Sequence, residues 1–165
     1  MRTSTTDLCD EYGDHVRVLA PGYRHFGGKT RFHGRVVTLR CPEDNSRLKE
    51  VMSTAGGGRV LVVDGGGSLR RALLGDMVGK ELLEHGWAGV VVHGAVRDSA
   101  ALAALDLGVM ALGLMPRRSN KNGEGQVGVP IELGGVTCRP GDALFADEDG
   151  IVLIDPALLS ESDRA

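Results

Sequence analysis

The chain alternates short apolar runs with polar segments, and the runs follow two rhythms. Val60-Leu61-Val62-Val63 and Gly89-Val90-Val91-Val92 are continuous and β-rich, the pattern of strands covered on both faces. Phe32 to Cys41 reads as a longer strand that Pro42 ends. Helical spacing lies between these runs. Leu48, Val51 and Met52 share one face of a helix predicted over Asp44 to Met52, with acids at its start to suit the dipole. Met77, Val78 and Leu82 form part of an apolar face for a helix that starts at Asp76 and stops before Gly86. A first helix is expected over Thr6 to Tyr12, capped by Thr5 or Thr6, with Leu8 inward. Shorter patterns predict a strand at Val16 to Leu19, a helix at Ser99 to Leu105 and a strand at Gly108 to Leu112. Three more strands are predicted, over Val127 to Leu133, Val136 to Cys138 and Gly150 to Ile154. Gly134-Gly135 and Asp149-Gly150 carry hairpin-turn chemistry. Strand and helix alternate in the first half and strands dominate the last third. That order predicts an α/β fold with a mixed sheet, a sandwich or partial barrel rather than an all-parallel doubly wound sheet.

Composition narrows the function without naming it. With 165 residues, one domain with a real core is expected. The 25 glycines imply many turns and close backbone approaches, because apolar runs lie between them. A formal charge of −3 gives no reason to expect a nucleic-acid partner. No apolar run reaches the ~20 residues of a membrane span, and the start lacks a signal-peptide apolar region. Cys9, Cys41 and Cys138 are odd in number and widely spaced, so they read as reduced thiols of a cytoplasmic protein.

The chemistry concentrates between Gly75 and Asp98. The predicted strand over Gly89 to Val92 ends at His93-Gly94, which leaves Arg97-Asp98 exposed beyond its carboxyl end. Open α/β sheets bind ligands there. The helix start at Gly75, Asp76, Met77 and Val78 offers free N–H groups to an anion and can converge on the same pocket. Other candidate sites fail on register. Gly65-Gly66-Gly67 follows a strand, but Arg70 stands where a dinucleotide loop needs its third glycine. Ser68-Leu69-Arg70 replaces the Walker Gly-Lys, and Ser68 also stands where an adenosylmethionine loop needs glycine. The glycines are therefore a tight turn, or else a loop lining the pocket. Asp147-Glu148-Asp149-Gly150 resembles the start of an EF-hand loop, lacks its downstream Glu and reads as a turn. The basic stretch Pro116 to Gly123 reads as a solvated, mobile loop, with contact to an anionic substrate or RNA as the alternative. His93 reads as a packed residue.

The spacing of Asp76 to Arg97-Asp98, Gly65-Gly66-Gly67 upstream and the Gly86-Trp87-Ala88-Gly89 turn together resemble the RraA-like family. That family includes class II 4-hydroxy-4-methyl-2-oxoglutarate aldolases and the ribonuclease E regulator RraA. The resemblance runs from about Thr6 to about Pro156. It implies a swivelling α/β/β fold, a homotrimeric ring with sites between subunits, and Asp64 to Gly67 as a wall of the site. It also implies retro-aldol cleavage of a 4-hydroxy-2-oxo acid to pyruvate, with oxaloacetate decarboxylation as a side activity.

Such cleavage leaves an enolate that needs an imine or a metal. Lys29, Lys49, Lys80 and Lys121 all lie in polar stretches, which favours the metal route, with Mg²⁺ or Mn²⁺ as cofactor. Asp98 is the candidate ligand and Asp76 holds a metal-bound water. Arg97 is the forked donor to the substrate oxygens, and the N–H groups from Gly75 to Val78 take its carboxylate. Each residue has a plainer reading: Arg97 and Asp98 as a surface pair, Asp76 as a helix cap paired with Lys80. The rival function is a non-catalytic protein that binds and inhibits a ribonuclease. The regulator departs from the Asp…Arg-Asp set, which this chain keeps. Longer aldolases add a C-terminal segment that gives an acid to a neighbouring site; here Glu161 or Asp163 would have to substitute.

Overall fold

The computed structural model describes residues 3–164. Chain order is α1 (Thr5–Tyr12), β1 (Arg17–Val18), β2 (Arg24–His25), β3 (Phe32–Arg40), α2 (Ser46–Met52), β4 (Val60–Asp64), β5 (Ala72–Leu74) and α3 (Asp76–Glu84). It continues with β6 (Gly89–Val96), α4 (Ser99–Ala103), β7 (Gly108–Leu114), β8 (Gln126–Val127), β9 (Ile131–Leu133), β10 (Val136–Cys138), β11 (Ala143–Ala146), β12 (Ile151–Ile154) and α5 (Glu161–Arg164).

Ten strands form one mixed sheet in the order β1-β12-β11-β3-β4-β6-β7-β2, with β5 added beside β6 and β8 beside β3. The sheet curls into a half-barrel. Its centre, β3-β4-β6-β7, is parallel, and both flanks are antiparallel. β3 joins the two styles, since Phe32 to Arg35 pair with β11 and Val36 to Arg40 pair with β4.

The continuous apolar strands are buried on both faces because successive side chains enter different cores. Leu61, Val63, Val90 and Val92 pack under α2, α3 and α4 with Leu48, Leu82 and Leu102. Val60, Val62 and Val91 face the opposite core with Phe32, Met110, Ile131 and Leu144, which the β9–β10 hairpin covers. Helices, sheet and hairpin thus make three layers. A third cluster seats Leu8 of α1 against Phe145, Val152 and Ile154. The hairpin turns at Gly134 (φ +57°) and Gly135 (φ +80°), two left-handed residues in succession, as a two-residue primed turn requires.

Several expectations shift. α1 is capped by Ser4, whose hydroxyl accepts from the Asp7 N–H; Thr5 instead binds buried Asp147 through its N–H and its hydroxyl, both at 2.8 Å. Asp44 precedes α2 rather than opening it and accepts from the N–H groups of Ser46 (2.9 Å) and Asn122 (2.6 Å). β6 runs on to Val96 because β5 pairs with its far end. The run predicted over Val127 to Leu133 is split into β8 and β9, with Pro130 between them and unable to donate to a ladder. Met77 is 77% exposed, so the inner face of α3 is Val78, Gly79 and Leu82. α4 stops at Ala103, short of Leu105. β2, β5 and β11 were not foreseen.

Among the described residues no helix is long and apolar enough to cross a membrane. Cys9, Cys41 and Cys138 are free thiols.

Candidate active site

β5 and β6 run parallel, and each delivers part of the site at its carboxyl end. β5 leads through Gly75 into the first turn of α3. β6 leads into Arg97 and Asp98, and the Arg97 N–H is held by the Leu74 carbonyl at 2.9 Å. Asp98 sits in the left-handed region (φ +58°, ψ +45°) just before α4, and its side chain makes no capping bond to that helix. Non-glycine residues reach that region at a cost, and Asp tolerates it better than most. The backbone turn swings the Asp98 carboxylate back onto α3, where Oδ2 accepts from the Asp76 N–H at 3.1 Å. Gly75 makes room for it: a Cβ there would lie 2.5 Å from Asp98 Oδ2 and 3.2 Å from Arg97 Cγ.

These groups line a cleft of about 480 Å³. All the residues expected at the site lie there: Gly75, Asp76, Met77, Val78, Arg97 and Asp98. One helix-start N–H group is already engaged, that of Asp76 by Asp98. Asp76 also lies 3.5 Å from Lys80, so the plainer reading of that pair is realised alongside the functional one. Partial desolvation pushes the Asp76 carboxyl upward. A hydrogen bond with the Asp98 carboxyl, the Lys80 charge and the Met77 N–H outweigh it and hold the group below the usual carboxylate range.

The opposite wall was not foreseen. Asn45, Lys49 and Met52 come from α2 and its approach, Arg118, Ser119 and Lys121 from the segment after β7. That segment is not a loose loop. The Ala72 N–H donates to the Arg117 carbonyl (2.7 Å), the Asn120 N–H to the Glu43 carbonyl (2.8 Å) and the Asn122 N–H to Asp44. Asn45 Nδ2 donates to the Leu73 carbonyl at 3.3 Å, while Asn45 Oδ1 and Ser119 Oγ are buried without a partner among the described residues. The available sequence signal was the basic stretch from Pro116 to Gly123.

Asp64 to Gly67 do not line this cleft. Gly66 donates to Asp64 Oδ1 (2.8 Å) and Gly67 to the His93 carbonyl (3.0 Å), which makes a closed turn. His93 is packed, with Nδ1 2.6 Å from the Tyr23 hydroxyl. Asp147 is the turn residue expected, and Asp163 is committed within the fold to Thr3 (2.6 Å), Tyr12 (2.7 Å) and Ser160 (2.7 Å).

Among the described residues no group of three or more His, Cys, Asp or Glu is placed to hold a metal ion. Two adjoining carboxyls, one exposed, do fit a hard cation that keeps most of its waters.

A family model described as Aldolase/RraA matches residues 5–153. The chain belongs to the RraA-like family. A relative from Laribacter hongkongensis, carrying the provisional name 4-hydroxy-4-methyl-2-oxoglutarate aldolase, is 54% identical over 94% of this chain and 98% of its own. Among solved RraA-like structures, the RNA-processing inhibitor RraA from Thermus thermophilis superimposes with a TM-score of 0.91 at 49% identity, over 94% of each chain. A Geobacillus kaustophilus protein named S-adenosylmethionine: 2-dimethylmenaquinone methyltransferase gives 0.91 at 44% identity, over 93% of this chain and 95% of that one. The RraA-like fold therefore carries three different functional names on closely similar chains, and the site has to choose among them.

Proposed function

We propose that the cleft cleaves a 4-hydroxy-2-oxo acid, such as 4-hydroxy-4-methyl-2-oxoglutarate, to pyruvate with the help of a divalent cation, Mg²⁺ or Mn²⁺. The observation that carries this reading is the Asp98 carboxylate, turned by a left-handed backbone onto the start of α3, with Arg97 and Asp76 beside it. The provisional aldolase name of relatives at 50–54% identity supports it.

Asp98, beside the Asp76 carboxyl and accepting from the Asp76 N–H, would be the direct ligand of the cation, and Asp76 would hold a water bound to it. Such a cation supplies Lewis-acid stabilisation of negative charge on the 2-oxo group. Arg97 presents a planar fork to the substrate carboxylate or oxo oxygen. Lys49 and Lys121 place positive charge on the facing wall, suited to a second carboxylate. Leu73, Leu74 and Val78 back the site with apolar surface, which lowers the local dielectric and strengthens each polar contact. The same arrangement serves decarboxylation of oxaloacetate, whose product is the same enolate.

The methyltransferase reading lacks a glycine loop at Ser68, and Asp64 to Gly67 are folded away from the cleft. Regulation of a ribonuclease remains the second reading, supported by the Thermus relative's name of RNA-processing inhibitor. The deciding experiment is pyruvate release from 4-hydroxy-4-methyl-2-oxoglutarate and oxaloacetate, with Mg²⁺, with Mn²⁺ and with chelator. Metal-dependent release supports the aldolase. No release, together with a sub-micromolar complex with a ribonuclease E-type enzyme, replaces it with the regulator.

A further inference from the structure

The glycine turn after β4 lies outside the cleft, yet one strained residue ties it to the cleft's far wall. Among the described residues only Asp98 and Glu43 are non-glycine residues with positive φ, at +58° and +56°. A side chain in that region persists where its surroundings over-determine it, and such residues cluster at working sites. Asp98 stands in the cleft, and Glu43 does not line it. The Glu43 carboxylate accepts from the Ser68 hydroxyl at 2.8 Å and from Arg70 Nε at 2.6 Å. Ser68 follows the left-handed glycines Gly66 (φ +71°) and Gly67 (φ +73°). The Glu43 carbonyl accepts from the Asn120 N–H at 2.8 Å. The next two residues continue that grip: Asp44 Oδ2 takes the Asn122 N–H at 2.6 Å, and the Asn45 N–H donates to the Asn120 carbonyl at 3.3 Å. Lys121, between the two asparagines, and Ser119, just before them, line the cleft. The Ser119 hydroxyl is buried there with no partner among the described residues.

We propose that Glu43 is a positioning residue: anchored on Ser68, it sets the wall that carries Ser119 and Lys121, and with it the affinity for the far carboxylate of a 2-oxo diacid. The left-handed turn lets one residue serve two directions. Its carbonyl meets the segment at Asn120 while its side chain reaches the turn after β4. Reach matters here more than charge. The Arg70 side chain is 82% exposed, and a pair with so open a partner contributes little. The Ser68 bond is part-buried, and losing it frees the carboxylate that holds the strained backbone in place. Glycine at position 43 would adopt the same φ without strain but would have no anchor. Stability and affinity should therefore part company in that variant, which separates positioning of the wall from support of the fold. The Gly65–Gly67 turn acts on the cleft from outside it, as the mount for Ser68.

This inference rests on reading the cleft as a 2-oxo acid site, but its test requires no turnover. The full-length chain is titrated by calorimetry in the presence of Mg²⁺ with two probes. One is 2-oxoglutarate, which has both carboxylates and no 4-hydroxyl to cleave; the other is pyruvate, which has a single carboxylate. Amide hydrogen exchange at Asn120 and Asn122 and a thermal melt accompany each titration. Glu43→Gly is expected to weaken 2-oxoglutarate by about tenfold, the scale of one hydrogen bond to a charged group. It should leave pyruvate affinity unchanged, speed exchange at both amides and melt within a few degrees of wild type. Glu43→Gln keeps the reach and an acceptor for Ser68, and should restore wild-type affinity and exchange. Ser68→Ala should weaken 2-oxoglutarate as the glycine variant does. Unchanged 2-oxoglutarate affinity in Glu43→Gly, an equal loss for pyruvate, or a melt far below wild type would each overturn the proposal. Absence of 2-oxoglutarate binding to the wild type would overturn it together with the diacid reading. The selective loss without pyruvate release from the hydroxy acid would keep it and sink the aldolase reading. Pyruvate release with an affinity indifferent to Glu43 would do the reverse.

Discussion

Gly75→Ala is the sharpest probe of the site, because it removes no charged group and leaves the backbone free to fold. Gly75 has φ −138° and ψ −160°, an extended conformation open to any residue. The effect is therefore steric. The new methyl would sit 2.5 Å from Asp98 Oδ2, so the carboxylate has to retreat by roughly 1 Å to reach ordinary van der Waals separation. That retreat breaks the 3.1 Å bond from the Asp76 N–H and pushes against Arg97 Cγ at 3.2 Å. A misplacement of about 1 Å in a reacting constellation costs on the order of a hundredfold in rate. Stability should change little, since the lost hydrogen bond lies at an exposed carboxylate. The assay is pyruvate formation coupled to its reduction, titrated with Mg²⁺, beside a thermal melt. We expect about a hundredfold loss of turnover and a weaker metal response at an unchanged melting temperature. A variant with wild-type rate and wild-type Mg²⁺ dependence would refute the placement of Asp98 at the reacting centre.

Three further outcomes are expected. Asp98→Asn removes the charge a hard cation needs and should lower metal-dependent pyruvate formation by on the order of a thousandfold, while Arg97→Lys should also lower it; equal rates would contradict both roles. Asp147→Asn should destabilise by about 1–3 kcal/mol, or roughly 2–4 °C of melting temperature per kcal/mol, because a buried carboxylate holding two Thr5 donors and the Asp149 N–H loses acceptor capacity. Burial pushes the Asp147 carboxyl up, but donors from Thr5, Asp149 and Gly150 outweigh it and hold its folded pKa below the ordinary value. Its stabilisation is thus complete above about pH 4 and fades as pH falls through the folded pKa, so the gap between wild type and variant should shrink in acid; a gap constant down to pH 2 contradicts this. Light scattering should report a homotrimer, and a 17.4 kDa monomer at all concentrations would remove the proposed ring.

The local parts of this protein were legible in its residues. Four-residue apolar runs announced β4 and the start of β6, and Gly86 marked the end of α3 at φ +80°. The Asp76…Arg97-Asp98 set could be found because helix starts and strand ends are local events with local signals. β2 and β5, of two and three residues, carry too little alternation to be read, and exist because a neighbour offers an edge. Met77 misled for a related reason: three apolar positions allow more than one rotation of a helix, and packing against Leu102 and Leu105 places Gly79, not Met77, inward. The other wall of the site was out of reach altogether. Asn45, Lys49 and Lys121 are brought to Asp98 by the pairing of β5 with β6 and by Asp44 gripping Asn122, contacts between residues over 20 and over 70 positions apart. A side chain's own neighbours in the chain determine whether it starts a helix or ends a strand. Which charge it meets across a cleft depends on chain segments that only the packed core brings together.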